Sequence, residues 1–257
     1  MDMTQRLRRV FVDGFSVHDI AEPLASFDAT SSASVVRSIM EQRGYEAVGL
    51  RDNGVVVGYL ERSEMGEGSC AEYKKSFDKA CVIIDTATLS EVVMALKETP
   101  RLFVSILGAV GGVVTRTDLQ KPSVRMWLFG MVTLIEIRFT RLIESLCPGD
   151  AWKQFLSEKR VEKAVELFEE RKRRNQHSNL LACLQLSDKG QIIARNEQLR
   201  NLTRFESRRQ MDQVLKGLER LRNNLAHSQD IISSDWEIIL LLSENLDQVI
   251  RGPEYDR

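Results

Sequence analysis

Two stretches of this chain follow one pattern, and that repeat limits the fold more than any other feature. The first copy closes on Gly58-Tyr59-Leu60-Glu61-Arg62-Ser63-Glu64, the second on Gly112-Val113-Val114-Thr115-Arg116-Thr117-Asp118. In the second copy Val82-Ile83-Ile84 reads as a short apolar strand. Thr88-Leu89-Ser90-Glu91 reads as a capped helix start, with Val92, Val93 and Leu96 on its apolar face. Residues 103–107 and 112–115 are again strand-like. In the first copy, residues 31–43 place Val35, Val36, Ile39 and Met40 at helical spacing. Asp52-Asn53-Gly54 then turns the chain into the run 55–60. Each copy therefore runs strand, helix, strand, turn, strand, short helix, a recurring supersecondary unit.

Past Pro122 the β-branched runs thin out and helical periodicity takes over. Residues 125–146 are apolar on most faces, which predicts a central or interface helix. Cys147-Pro148-Gly149 ends it. Residues 152–174 read as one amphipathic helix with Phe155, Leu156, Val161, Val165 and Phe168 on one side. Residues 208–225 carry the stripe Met211, Val214, Leu215, Leu218, Leu221, Leu225, and a last helix covers 236–250. The expected fold class is α+β: strand–helix repeats over 1–122, as two modules at about 15–66 and 78–122, followed by an all-α bundle over 123–257.

At 257 residues the chain is one or two domains, and 43% hydrophobic against 28% charged residues is a soluble, globular balance. A net charge of -1 neither favours nor excludes an anionic partner. Cys70, Cys81, Cys147 and Cys183 are scattered, and with three histidines they form no zinc pattern. Such cysteines fit a reducing compartment, so the expected location is cytoplasmic. The charged N-terminus is not followed by an apolar signal core, and residues 126–137 are too short to span a bilayer.

The second repeat's closing octamer is the first chemical candidate. A strand turning into a helix puts Thr115 and Asp118 near a helix N-terminus, where backbone N–H groups favour phosphate and a carboxylate can accept from ribose hydroxyls. A plain helix cap, serving only the backbone, uses the same two residues. The octamer, with the strand–helix–strand layout of residues 82–107, resembles the CBS module. Paired modules of that family form one compact unit, and many bind AMP, ATP or related adenosyl ligands. The resemblance implies a nucleotide site at Gly112, Thr115, Arg116 and Asp118, with Thr115 meeting phosphate and Asp118 the ribose. The first copy departs from the pattern: Glu61 stands where the hydroxyl belongs and would repel phosphate. One conventional site, in the second module, is therefore expected.

The second candidate is Arg222-Asn223-Asn224-Leu225-Ala226-His227. Helical geometry projects Arg222 close to the Leu215, Leu218 and Leu221 stripe, a costly place for a cation without a partner or a polar interface. Arg222 can also snorkel, with His227 serving only the helix C-terminus. An arginine, four residues and a histidine, with asparagine after the arginine, in a late helix of an all-α bundle, resembles the signature of HEPN domains. Many of these are metal-independent endoribonucleases that build the site from two protomers. The resemblance implies His227 as acid/base, Arg222 as phosphate clamp and Asn223 as an orienting hydrogen bonder. Between Arg195 and Arg222 eight basic residues stand against four acidic ones, a stripe that can track a phosphate backbone or simply face solvent.

Together these features point to an endoribonuclease regulated by an adenine nucleotide, needing no metal. Its partners would be a second copy of the chain and RNA, with no membrane. The alternative is a non-catalytic nucleotide sensor whose helical domain dimerises or binds a partner.

Overall fold

The computed structural model describes residues 3–250 except Arg204, Glu206 and Ser228. The chain divides into two compact units: Phe15–Val124, and Met1–Gly14 together with Arg125–Arg257. Among the described residues no helix is long and apolar enough to cross a membrane.

The unit Phe15–Val124 is built twice over. In its first copy β2 (Ser26–Asp28) leads through α2 (Ala33–Arg43) to β3 (Ala47–Asp52), and β3 turns into β4 (Val55–Glu61). In its second, β5 (Val82–Ile84), α3 (Leu89–Glu98), β6 (Arg101–Ile106) and β7 (Ala109–Thr115) repeat that order. β2 pairs parallel to β3 and β5 parallel to β6, as strands joined by a helical crossover must. β3–β4 and β6–β7 are antiparallel hairpins. Both hairpins carry an irregularity at the same place, between Leu50 and Arg51 and between Val104 and Ser105. The sheets are β2-β3-β4 and β1-β7-β6-β5, β1 being the two-residue strand Glu22–Pro23.

Each hairpin turns through two residues at positive φ: Asn53 (50°) and Gly54 (80°), then Leu107 (51°) and Gly108 (85°). That conformation suits the strand twist, but only Asn and Gly adopt it readily. Leu107, expected to end a strand, sits instead in the turn and is wholly exposed. α3 starts as expected: the Thr88 side chain accepts from Glu91 N–H at 3.3 Å, and Glu91 accepts from Thr88 N–H at 2.7 Å. Leu89, Val92, Val93 and Leu96 are buried beneath it. In the first copy Val36 and Met40 go inward onto Val48, Leu50 and Leu60, whereas Val35 is exposed. Each such burial contributes about 1.5–3 kcal/mol.

In the helical unit α4 runs Pro122–Leu146, beginning on proline, which fits a helix's first turn because its missing N–H would be unpaired there anyway. The expected helix over 152–174 is two pieces: a 3-10 turn, Ala151–Phe155, and α5, Glu158–Arg173. Extended backbone at Leu156 and Ser157 separates them, with Ser157 at the N-cap and Leu156 turned inward. α6 (Leu186–Arg195) and the short α7 (Glu197–Asn201) come next. α8 (Arg208–Ala226) buries Met211, Leu215, Leu218 and Leu221. α9 (Ile232–Ile250) starts one turn earlier than expected, because Asp230 accepts from the N–H groups of Ile232 and Ser233 at 2.8 and 3.3 Å. α8 packs on α6 and α9. Gly190 makes the first of these close, since a Cβ there would meet Leu215 Cδ2 at 2.1 Å.

The N-terminal helix α1 (Met3–Phe11) also belongs to this unit rather than to the strand–helix half. Phe11 lies directly over Gly130 of α4, where a Cβ would stand 2.3 Å from both the Phe11 Cβ and its ring Cγ. Helix-to-helix packing of this kind is invisible to local periodicity.

Candidate nucleotide cleft and the exposed Arg222 to His227 cluster

A cleft of about 760 Å³ opens in the unit Phe15–Val124. Thr115, Arg116, Thr117 and Asp118 line one part of it, and Tyr45, Glu46 and Ala47 at the start of β3 line another. Leu24 and Ala25, which follow β1, add apolar surface, and Arg101 reaches it from β6. Three of the four expected nucleotide residues, Thr115, Arg116 and Asp118, are thus close together at the wall of a cavity of ligand size. The Arg116 guanidinium, however, donates to the carbonyls of Leu96 and Lys97, at 2.9 and 3.2 Å, at the end of α3. Gly112 is not at the wall. It lies where β7 crosses Pro23, with the Glu22 carbonyl 3.4 Å from where a Cβ would stand.

Asp118 already has work in the fold. Its Oδ2 accepts from the Thr115 N–H at 2.8 Å and from the Thr115 hydroxyl at 3.0 Å. Its Oδ1 pairs with the Lys121 ammonium at 2.9 Å. Lys121 also donates to the Ile20 carbonyl at 2.6 Å and to Glu22. Burial works against the Lys121 charge, but the hydrogen bonds to Glu22 and Asp118 outweigh it and hold its pKa above the usual lysine value. The cap reading is therefore realised in the fold, in the same residues that face the cleft. The helix that follows is only a 3-10 turn, Arg116–Gln120, so side chains rather than a long helix dipole supply the site's polarity.

The first copy has the same geometry with other contents. Where β1 crosses β7 at Glu22 and Val113, the segment before β5 crosses β4 at Lys75 and Tyr59. Gly58 permits this approach, since a Cβ there would meet the Lys75 carbonyl at 2.4 Å. Lys75 takes the place of Glu22, and its ammonium binds Glu64 at 2.5 Å and Glu61 at 3.7 Å. The hydrogen bond to Glu64, with the charges of both glutamates, holds the Lys75 pKa above its ordinary value. Glu61 also takes Arg101 at 2.5 Å. Beside this cluster Tyr59 stacks on Phe77 (centroids 5.7 Å, 22°), and Phe103 closes on both at 4.7 and 4.8 Å. Ion pairs and aromatic rings of the chain itself gather at the first copy's counterpart of the β1–β7 crossing.

In the helical unit Arg222, Asn223 and His227 are all exposed near the C-terminal end of α8. Arg222 does not share the buried stripe. It follows Leu221 by one residue, about 100° round the helix, and turns to water, so it incurs no desolvation that a partner must offset. His227 is the C-cap, its N–H donating to the Asn223 carbonyl at 3.0 Å. What holds this helix end is Asp235 of α9, fully buried, which accepts from Arg220 Nε at 2.7 Å, Asn224 Nδ2 at 2.7 Å and Ser234 Oγ at 2.9 Å. Arg125 of α4 donates to the Asn224 and Gln229 carbonyls at 3.4 and 2.5 Å. Neither Asp235 nor Arg125 was identifiable from the motif. Part of the basic stripe is also committed to the fold: Arg195 and Arg200 donate to the carbonyls of Phe155 and Ala194, and Arg220 to Asp235. Arg208, Arg209, Lys216 and Arg222 remain exposed.

No protein-family model matches the chain, and no curated protein matches it. Among solved structures it is similar to a CBS-pair protein from Arabidopsis thaliana, at 16% identity over 44% of this chain and 96% of that one, with a TM-score of 0.38. It is similar to CbpB in complex with c-di-AMP at 19% identity, over 48% and 93%, with a TM-score of 0.38. It is also similar to the CBS domain of a bacterial CNNM/CorC family Mg2+ transporter in complex with ATP, at 13%, over 49% and 94%, with a TM-score of 0.36.

Proposed function

We propose that the unit Phe15–Val124 is a CBS pair that binds one adenine nucleotide, and that this nucleotide regulates the helical unit. The observation that carries the reading is the cleft itself: Thr115 and Asp118, three residues apart at the end of β7, line a cavity with Tyr45, Leu24 and Ala25. A ribose diol donating to Asp118 takes the acceptor that now serves the Thr115 hydroxyl. The freed hydroxyl then donates to a phosphate oxygen. Tyr45 and the apolar pair offer surface to the base.

For the helical unit the reading is a HEPN-like, metal-independent endoribonuclease, and the exposure of Arg222, Asn223 and His227 favours it over a purely structural role. The RNA 2′-hydroxyl attacks the adjacent phosphorus. The new O–P bond forms as the bond to the 5′-oxygen breaks, leaving a 2′,3′-cyclic phosphate and a 5′-hydroxyl. His227 moves the proton, a role its imidazole suits because its ring nitrogens can both accept and donate one. Arg222 balances the added negative charge with its planar fork, and Asn223 orients the phosphate. A second copy of the chain would complete the site. The other reading, a sensor without turnover, keeps the nucleotide site and assigns the helical unit to dimerisation or partner binding.

Incubating the full chain with RNA, with and without AMP, in EDTA, separates the two. The enzyme reading expects cleavage to cyclic-phosphate ends that changes with AMP and disappears in His227→Ala. Arg222→Lys should not restore full activity, because an ammonium lacks the bidentate fork. Equal cleavage by wild type and His227→Ala marks contamination and leaves the sensor reading.

A further inference from the structure

Charge, more than volume, decides what the cleft beside Asp118 admits. Four carboxylates line it, Glu22, Glu46, Glu98 and Asp118, against the cations Lys97, Arg101 and Arg116. Arg101 is held between Glu61 and Glu46, at 2.5 and 3.4 Å. Arg116 is turned to the end of α3, and Lys121, next to the cleft, is taken by Asp118 and Glu22. Glu46 and Glu98 are exposed. Arg101 and Lys121 thus meet carboxylates before any ligand arrives, and in the lining carboxylates outnumber cations by four to three.

We infer that the cleft selects an adenine nucleoside carrying one phosphoryl group over the triphosphate, with Glu46 and Glu98 rejecting the added charge. The inference rests on the nucleotide reading above and sharpens it. A single phosphoryl group can take the place of the Glu46 carboxylate on Arg101, which keeps Glu61 on its other side. A second and a third phosphoryl enter a lining in which carboxylates already outnumber cations, and each brings negative charge toward the exposed Glu46 and Glu98. Space does not discriminate, since about 760 Å³ is ample for a nucleoside triphosphate.

Calorimetric titration of the full chain with adenosine, AMP and ATP, in EDTA at low and moderate salt, tests this. AMP should bind about tenfold or more tightly than ATP at low salt, and the gap should narrow as salt screens the repulsion. The double variant Glu46→Gln, Glu98→Gln should narrow it as well. ATP binding as tightly as AMP in the wild type overturns the inference. A preference for AMP that the double variant leaves intact removes these glutamates as its cause. If adenosine, AMP and ATP all fail to bind, the nucleotide reading itself falls and the selectivity with it, a result distinct from equal binding.

Discussion

Replacing Asp235 by alanine should loosen the C-terminal end of α8 and lower the stability of the helical unit by about 2–3 kcal/mol. Asp235 is fully buried and accepts three hydrogen bonds, two at 2.7 Å and one at 2.9 Å. Breaking a buried ion pair costs about 3–5 kcal/mol when the surviving charge stays buried. Here the survivor is Arg220, whose side chain is 56% exposed and can turn to water. What remains is the loss of hydrogen bonds to a charged acceptor, typically about 1.5–3 kcal/mol. Asn224 keeps its bond to Ser234 at 3.1 Å, which limits the damage further. The assay is built into the sequence: Trp127, Trp152 and Trp236 are the chain's three tryptophans, and all lie in the helical unit. Tryptophan fluorescence therefore follows the melting of that unit alone. At about 2–4 °C per kcal/mol for a unit of this size, the midpoint should fall by about 5–10 °C. Asp235→Asn, which keeps one acceptor oxygen, should fall part of the way. A midpoint for Asp235→Ala within about 1 °C of wild type would refute this account of how α8 and α9 are joined.

Gly190→Ala should destabilise the same unit by about 1–3 kcal/mol, read by the same fluorescence melt, because its methyl would stand 2.1 Å from Leu215 Cδ2. Leu107→Asn should raise the stability of the strand–helix unit by about 1 kcal/mol in a urea titration followed by circular dichroism. It removes a branched, wholly exposed side chain from φ 51° and supplies the residue type found at the matching turn position, Asn53.

The two strand–helix copies were legible because their signals are local. Thr88 and Glu91 cap α3 within four residues, and Asn53-Gly54 makes a hairpin turn by backbone preference alone. Leu107 misled because an apolar residue at the end of an apolar run reads as strand, while the matching turn one copy earlier carries asparagine. α6 was missed because its buried face includes Asp188 and Lys189. Their burial depends on Arg160 and Glu136, far away in the sequence. The site shows the same division. Thr115 and Asp118 could be read together because only two residues separate them. Tyr45, Glu46 and Arg101 could not: strand pairing brings Arg101 beside Thr115, and packing of one copy against the other brings Tyr45 and Glu46 to the cleft. Arg222 was expected on the stripe and is exposed, since one residue past Leu221 is enough to leave the apolar face.

The measurement closest to the central claim is a calorimetric titration of the wild type, Asp118→Asn and Asp118→Ala with AMP. One AMP per chain is expected, since Glu61, paired with Lys75 and Arg101, stands in the first copy where Thr115 stands in the second. The account predicts affinity about ten- to a hundredfold weaker in Asp118→Ala, where the ribose acceptor is gone. Asp118→Asn keeps an oxygen for the Thr115 cap, so its intermediate affinity separates loss of the ligand contact from loss of the fold. No heat at millimolar AMP, two equivalents per chain, or wild-type affinity in Asp118→Ala would contradict it.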